Sequence, residues 1–223
     1  MREGTGVVLL LAVAPDAEGH GLGRSLLDVA TAWAFDHGAA RVVLGGLAPF
    51  YLWPGVDVRF TRMLALADSA GFRETGAALN LTCPTGFRQD PPADASVRRV
   101  LEGEDAGRVL GFCEERFPHW VDEVGRGIEH GCCHVAVDDA SGAVLGFAAH
   151  SVNRAGWFGP TGVDPAARGR GVGGALLAAC CRDLQIAEYR DCEIAWIGPI
   201  GFYAKAAGAT VSRVFRTAVL DRP

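Results

Sequence analysis

Apolar residues along this chain fall into two kinds of stretch. Short runs of strand length occur at Val7–Val13, Arg41–Leu44, Trp157–Val163 and Cys192–Ile197. Longer stretches at Ser25–Phe35 and Ala175–Ala187 carry apolar residues at helical spacing. The order is the same both times: strand, glycine-rich turn, helix, strand. A further helix follows, closed by Ala70-Gly71-Phe72 in one case and Ala207-Gly208-Ala209 in the other, before a last strand. The turns themselves align. Ala14-Pro15-Asp16-Ala17-Glu18-Gly19-His20-Gly21-Leu22-Gly23 matches Asp164-Pro165-Ala166-Ala167-Arg168-Gly169-Arg170-Gly171-Val172-Gly173 at an offset of 150 residues throughout. A run of elements that recurs with its turn chemistry intact is an internal duplication.

The second copy has more in front of its turn. A strand is expected at Val97–Val100, an amphipathic helix at Ala106–Arg116, and a hairpin of His134–Val137 and Ala143–His150 turning through residues 138–142. The first copy has only its opening run, so the strands that should flank Val7–Val13 are missing from its own sequence. Either the first copy borrows neighbouring strands from elsewhere, or the chain is a truncated or mis-started version of a longer one; the second is the expected reading. Between the copies, Cys83–Ser96 holds Pro84, Gly86, Pro91 and Pro92 with little apolar periodicity, as a linker does. The expected organisation is an incomplete, degenerate domain at residues 1–84, a linker at 85–96 and a complete domain at 97–223, in an α/β fold with mixed sheets.

Composition narrows the function. Among 223 residues, 49% are hydrophobic, enough for packed cores, and the net charge of -5 lacks the basic face of a nucleic-acid binder. The apolar run Gly6–Ala14 is too short to span a membrane. Seven cysteines, an odd number with no C-x-x-C pair, make neither a disulfide framework nor a zinc site and are expected as buried thiols in a reducing cytoplasm.

The chemistry centres on Arg168-Gly169-Arg170-Gly171-Val172-Gly173-Gly174. A glycine-rich turn between strand and helix presents backbone N–H groups to a phosphate, and glycine keeps side chains out of the way. Arg168 and Arg170 add positive charge. Several ligands share this physics. The segment satisfies G-x-G-x-x-G, with Asp191 and Glu193 about twenty residues on, as a dinucleotide site would. An antiparallel hairpin ahead of the strand, and the five residues Val163–Ala167 before Arg168, argue against that reading. A Walker A loop is excluded because no Gly-Lys-Ser/Thr is present.

Val163-Asp164-Pro165 followed by Arg168-Gly169-Arg170-Gly171-Val172-Gly173 resembles the GCN5-related N-acetyltransferase (GNAT) signature, R/Q-x-x-G-x-G/A after a strand and a turn. Phe202-Tyr203-Ala204-Lys205-Ala206-Ala207-Gly208 resembles the F-Y-x-x-x-G-F segment of the same family. The resemblance implies a mixed sheet that splays open beside Gly159–Val163, with acetyl-CoA as the acyl-donor substrate and no metal. Thr161, Gly162, Val163, Arg168, Gly169, Arg170, Gly171, Val172, Gly173 and Gly174 are the implied CoA-binding residues. Tyr203 is the implied acid that protonates the leaving thiolate, and Glu193 the candidate base. His119, His134 and His150 are weaker base candidates, read as structural. Trp120, Trp157 and Trp196 are read as core aromatics that could instead wall an acceptor pocket.

In the first copy Glu18 stands in the Gln/Arg position, where a carboxylate repels a diphosphate, and Phe50-Tyr51 lies too early to match Tyr203. Tyr51–Asp57, Gly159–Val163 and Trp196 also resemble tandem acetyltransferases acting on glucosamine or glucosaminides, with Ala195 a departure from that group. The implied protein is a cytoplasmic acetyl-CoA-dependent N-acetyltransferase for a primary amine of a small molecule, an amino sugar by this resemblance. Nucleic acid and membrane are not expected partners, and a homo-oligomer is left open. The alternative is a non-catalytic acyl-CoA-binding or scaffold module.

Overall fold

A computed structural model describes residues 4–46, 52–101 and 103–223; the Phe50-Tyr51 pair lies outside the described residues. The chain divides into two compact units, residues 4–79 with 213–223, and residues 80–212. This differs from a simple split at the proline-rich stretch. Strand β4 (Arg73–Pro84) begins in the first unit and ends in the second, and the last strand, β10 (Thr210–Asp221), ends in the first.

In the first unit, β1 (Thr5–Val8) pairs in parallel with β2 (Arg41–Leu44), and β2 pairs antiparallel with β10. The two-residue β3 (Val56–Asp57) also pairs with β10, through Phe215 and Arg216. Helices α1 (Leu22–Asp36) and α2 (Thr61–Ser69) complete the unit. The core gathers Leu27, Ala34, Val42, Leu44, Ala67 and Phe72. The expected strand Val7–Val13 is cut short at Val8. Its ladder ends where the four residues of β2 end, and Leu9 and Leu10 beyond it are exposed. Asp57 is buried and accepts hydrogen bonds from the Arg59 and Arg213 guanidinium groups at 2.7 and 2.9 Å. Arg213, supplied by β10, also lies 4.0 Å over the Trp53 ring. The final strand therefore fixes this unit by charge as well as by pairing.

In the second unit the strands run in the order β5 (Ala95–Arg99), β6 (Cys133–Asp138), β7 (Val144–His150), β8 (Trp157–Val163), β9 (Asp191–Ile194) and the end of β4. All neighbours are antiparallel except β8 and β9. Helix α5 (Val172–Ile186) is apolar nearly all round and buries Leu176, Leu177, Cys180, Cys181 and Leu184 in one core with Phe158, Ile194 and Tyr203. A second core, around Val109, Val124, Val135 and Phe147, joins helices α3 (Glu104–Arg116) and α4 (Val121–Glu129) to the sheet. Helix α6 (Ile200–Ala207) is closed by Gly208 in the left-handed conformation, as expected of a glycine C-cap. Helix α4 was not foreseen; glycines at 125 and 127 interrupt its apolar spacing. Gly127 is needed there because a Cβ would stand 3.0 Å from the Ala149 methyl.

The duplication is visible element by element. The α1 and α5 helices, the short helical turns Pro15–Ala17 and Pro165–Ala167, and strands β2 and β9 all keep the offset of 150. Both helices start three residues earlier than expected. Gly21 and Gly171, at φ 80° and 96°, are the N-caps, so Val172, Gly173 and Gly174 already form the first helical turn.

Candidate active site

In the second unit a cleft of about 830 Å³ is lined by residues of β8, the glycine-rich turn and α6. It exists because β8 and β9 pair at Trp157 and Phe158 and then part, leaving Gly159–Val163 with no strand partner on that side among the described residues. On the other side β8 stays paired with β7. The Asp164 N–H donates to the Leu145 carbonyl at 2.9 Å. Alternation along an antiparallel ladder then turns the Val163 N–H away from β7, toward the cleft. Thr161 is pinned by its hydroxyl, which donates to the Phe147 carbonyl at 3.0 Å.

At one end of the cleft lies the turn. Gly169 and Gly171 take φ values of 78° and 96°, a region closed to most side chains, and nothing stands near the place where a Cβ of Gly169 would be. Residues 172–174 form the first turn of α5, whose N–H groups have no partner within the helix. Backbone donors, the positive end of the helix dipole and the exposed Arg168 make a seat that fits a diphosphate. Arg170 points away to an ion pair with Asp94 at 2.7 Å and does not line the cleft.

Tyr203, in α6, lines the same cleft while its ring is 4% exposed, packed edge-on against Phe158 and Phe202. Burial, and then the nearby thiols of Cys192, Cys83 and Cys180, push its pKa well above the usual tyrosine value, so it stays protonated. Phe117 and Trp120, stacked at 5.5 Å, also line the cleft. Phe117 lies directly over Gly162, where a Cβ would approach its ring to 2.7 Å. Among the described residues lining the cleft, the charged ones are Arg168 and Lys205.

Of the expected residues, Thr161, Gly162, Val163, Arg168, Gly169, Gly171, Val172, Gly173, Gly174 and Tyr203 all line this one cleft. Glu193 does not. Its carboxylate accepts from the Asn80 amide at 2.6 Å and from the Trp157 indole at 3.0 Å. Asn80, fully buried, in turn accepts from the Trp196 N–H, and Trp196 itself takes φ 46°. His134 and His150 both bond one Asp183 oxygen, at 2.7 and 3.2 Å, beside Arg99 at 2.8 Å. Both converge on this half-buried carboxylate and neither lines the cleft. Burial pushes the Asp183 pKa up, but the bonds from His134 and His150 and the Arg99 charge outweigh it and hold the carboxyl well below the usual range. His119 is exposed. All seven cysteines are buried free thiols; Cys83, Cys181 and Cys192 bring their sulfurs within 4.8 Å of one another in the core behind Tyr203. Gln89, Phe117, Pro199 and Lys205 are lining residues that sequence reasoning did not single out.

In the first unit the turn keeps its shape, with Gly19 and Gly21 at φ 82° and 80°. Its chemistry differs: Glu18 is ion-paired with Arg62, and Arg24 stands at the place of Gly174. The cleft described in this unit, about 100 Å³ among Val8–Leu11, Trp53 and Phe60, does not include the turn.

Comparison with known proteins agrees with this geometry. Residues 129–206 match the profile of the acetyltransferase (GNAT) domain, and residues 2–49 match that of the acetyltransferase (GNAT) family. No curated protein matches. Among solved structures, the chain superposes on a GCN5-related glucosamine N-acetyltransferase region of a fungal multi-domain GH3 β-N-acetylglucosaminidase, with a TM-score of 0.77 and 20% identity over 96% of this chain. That match spans 29% of the fungal chain. A GCN5-related N-acetyltransferase from Sphaerobacter thermophilus gives 0.71 and 22%, covering 95% of this chain and 71% of that one. A tandem GNAT protein from the clavulanic acid biosynthesis pathway gives 0.71 and 19%, covering 98% and 76%. These are likenesses of fold. No helix among the described residues is long and apolar enough to cross a membrane. With two profile matches that together take in more than half of its length and a splayed sheet beside a glycine-rich helix start, the chain belongs to the GCN5-related N-acetyltransferase superfamily.

Proposed function

We propose that the second unit binds acetyl-CoA and transfers its acetyl group directly to a primary amine of a small molecule, an amino sugar being the acceptor class to test first. The observation that carries the reading is the union, in one cleft, of a diphosphate-shaped helix start, an unpaired strand edge at Gly159–Val163 and a protonated tyrosine. The diphosphate sits on the N–H groups of residues 169–174, with Arg168 beside it. The pantetheine arm adds to the open edge of β8 as an extra strand would. The Val163 N–H, aimed into the cleft, polarises the thioester carbonyl. The amine then attacks, the C–S bond breaks, and Tyr203 gives its hydroxyl proton to the leaving thiolate. Burial keeps the phenol neutral, so its proton is in place for the thiolate; the raised pKa makes it a weak acid, and the phenolate left behind takes a proton back from solvent.

The attacking amine must lose a proton as well. Both oxygens of Glu193 are engaged by Asn80 and Trp157, so the reading gives Glu193 the task of holding Trp157 and Asn80 in place and routes the amine's proton to solvent water. Phe117 and Trp120 form an aromatic wall suited to the C–H face of a sugar ring. The resemblance to a structure titled as a glucosamine N-acetyltransferase region supports the same acceptor class. We infer that the sequence holds two copies, residues 1–84 and 97–223, with the last strand of the second completing the first unit and the first copy not binding the donor. Acetyl-CoA-dependent thiol release, measured across amino sugars, aminoglycosides, polyamines and peptide N-termini, tests the reading. Turnover with an amino sugar supports it. CoA binding without turnover on any amine would favour a non-catalytic acyl-CoA-binding module.

A further inference from the structure

The stretch between the copies crosses the glycine-rich turn. Residues 85–94 are tied down on both flanks. At one flank the Thr85 hydroxyl donates to the carbonyls of Tyr189 and Arg190 at 2.6 and 3.0 Å, Phe87 packs on the main core, and Arg88 bonds Gln185 at the far end of α5. At the other, Asp94 pairs with Arg170 of the turn, and its carbonyl accepts from the Asp139 N–H at 3.0 Å. Between these anchors Gln89 lines the cleft, and its amide donates to the Gly171 carbonyl at 2.8 Å.

Gly174 has a structural reason in Gln89. It falls outside the R/Q-x-x-G-x-G/A pattern and has no positive φ, and in a helical turn alanine would serve better. A Cβ at Gly174 would stand 2.1 Å from the Gln89 Oε1. The first copy has Arg24 at the matching place. The glycine there gives the Gln89 carboxamide its close seat against the turn.

We propose that Gln89 is part of the donor's diphosphate seat: its carboxamide, held beside the first turn of α5 by the anchored stretch and by Gly174, donates a hydrogen bond to a diphosphate oxygen. A primary amide has two N–H donors, and the Gly171 carbonyl takes one. The inference rests on the transferase reading above and extends it to a segment outside the repeat.

The test measures CoA affinity by calorimetry on the full chain, wild type against Gln89→Ala. Loss of a hydrogen bond to a charged group predicts ~10-fold weaker binding. Acetyl-pantetheine, which lacks the diphosphate, should be used by both proteins with equal kcat/KM. Gly174→Ala, which pushes the carboxamide off its seat, should reproduce the loss, and the double variant should be no weaker than either single one. Unchanged or tighter CoA binding by Gln89→Ala would overturn the inference while leaving the transferase reading standing. So would an equal loss with acetyl-pantetheine, since the effect would then not concern the diphosphate. A wild type that binds no CoA would overturn the reading and the inference together.

Discussion

Tyr203 separates chemistry from packing in a way two substitutions can expose. Its ring is buried between Phe158 and Phe202, at centroid distances of 6.1 and 4.8 Å, and only its edge meets the cleft. Tyr203→Phe keeps that ring and removes one hydroxyl. If the hydroxyl protonates the leaving thiolate, general-acid loss predicts kcat lower by about 10²-fold, equivalent to ~2.7 kcal/mol in the barrier. CoA affinity should stay within about 2-fold, because the diphosphate seat is formed elsewhere, and the melting temperature should stay close to the wild-type value. Tyr203→Ala empties a buried aromatic site and should cost roughly 3–5 kcal/mol of stability. Steady-state thiol release, CoA titration and thermal melts on the two variants decide the matter. A Phe variant with wild-type kcat would refute the proton-donor role. A Phe variant that loses CoA binding in step with turnover would show that the hydroxyl serves the donor's placement instead.

Three further outcomes follow from the same geometry. Gly162→Val drives a side chain into the Phe117 ring; strain of about 1–3 kcal/mol should lower stability, and the displaced aromatic wall should raise KM for the acceptor more than for acetyl-CoA. Asp183 has a depressed folded pKa, so its stabilisation is fully present above its unfolded value, about 4, and is lost as pH falls through the folded one. Asp183→Asn should therefore melt well below wild type near pH 7, with the gap narrowing progressively below about pH 4; a gap independent of pH would contradict the carboxylate's role. Asn80→Ala removes a buried amide that bonds both the Glu193 carboxylate and the Trp196 N–H and should lower stability, as thermal melts would show, while leaving CoA affinity unchanged.

What the sequence displayed clearly was local. The turn at residues 164–174 carries its own instructions, since glycine at 169 and 171 is required by the backbone itself, and the duplication repeats it with the same two conformations at Gly19 and Gly21. The place of Tyr203 in the cleft was legible because the stretch that carries it, Phe202–Gly208, is contiguous in sequence. The chain's organisation was less so. β10 from Arg213 onward completes the first unit, with Arg213 bound to Asp57, a partnership 156 residues apart that no periodicity announces. Glu193 had a favourable place on β9, but its partners Asn80 and Trp157 come from distant stretches, and only their convergence shows that both carboxylate oxygens are taken. Gln89 sat in a proline-rich stretch that composition marks as a linker, and its one trace in the sequence was a glycine at 174 beyond the R/Q-x-x-G-x-G/A pattern.

The account stands on the placement of the donor's diphosphate. A crystal structure of the chain with CoA tests that most directly. The prediction is density for the diphosphate within hydrogen-bonding distance of the backbone nitrogens of residues 169–174, with the pantetheine arm running along Gly159–Val163 toward Tyr203. Diphosphate density at any other place, or an empty turn at saturating CoA, would contradict it.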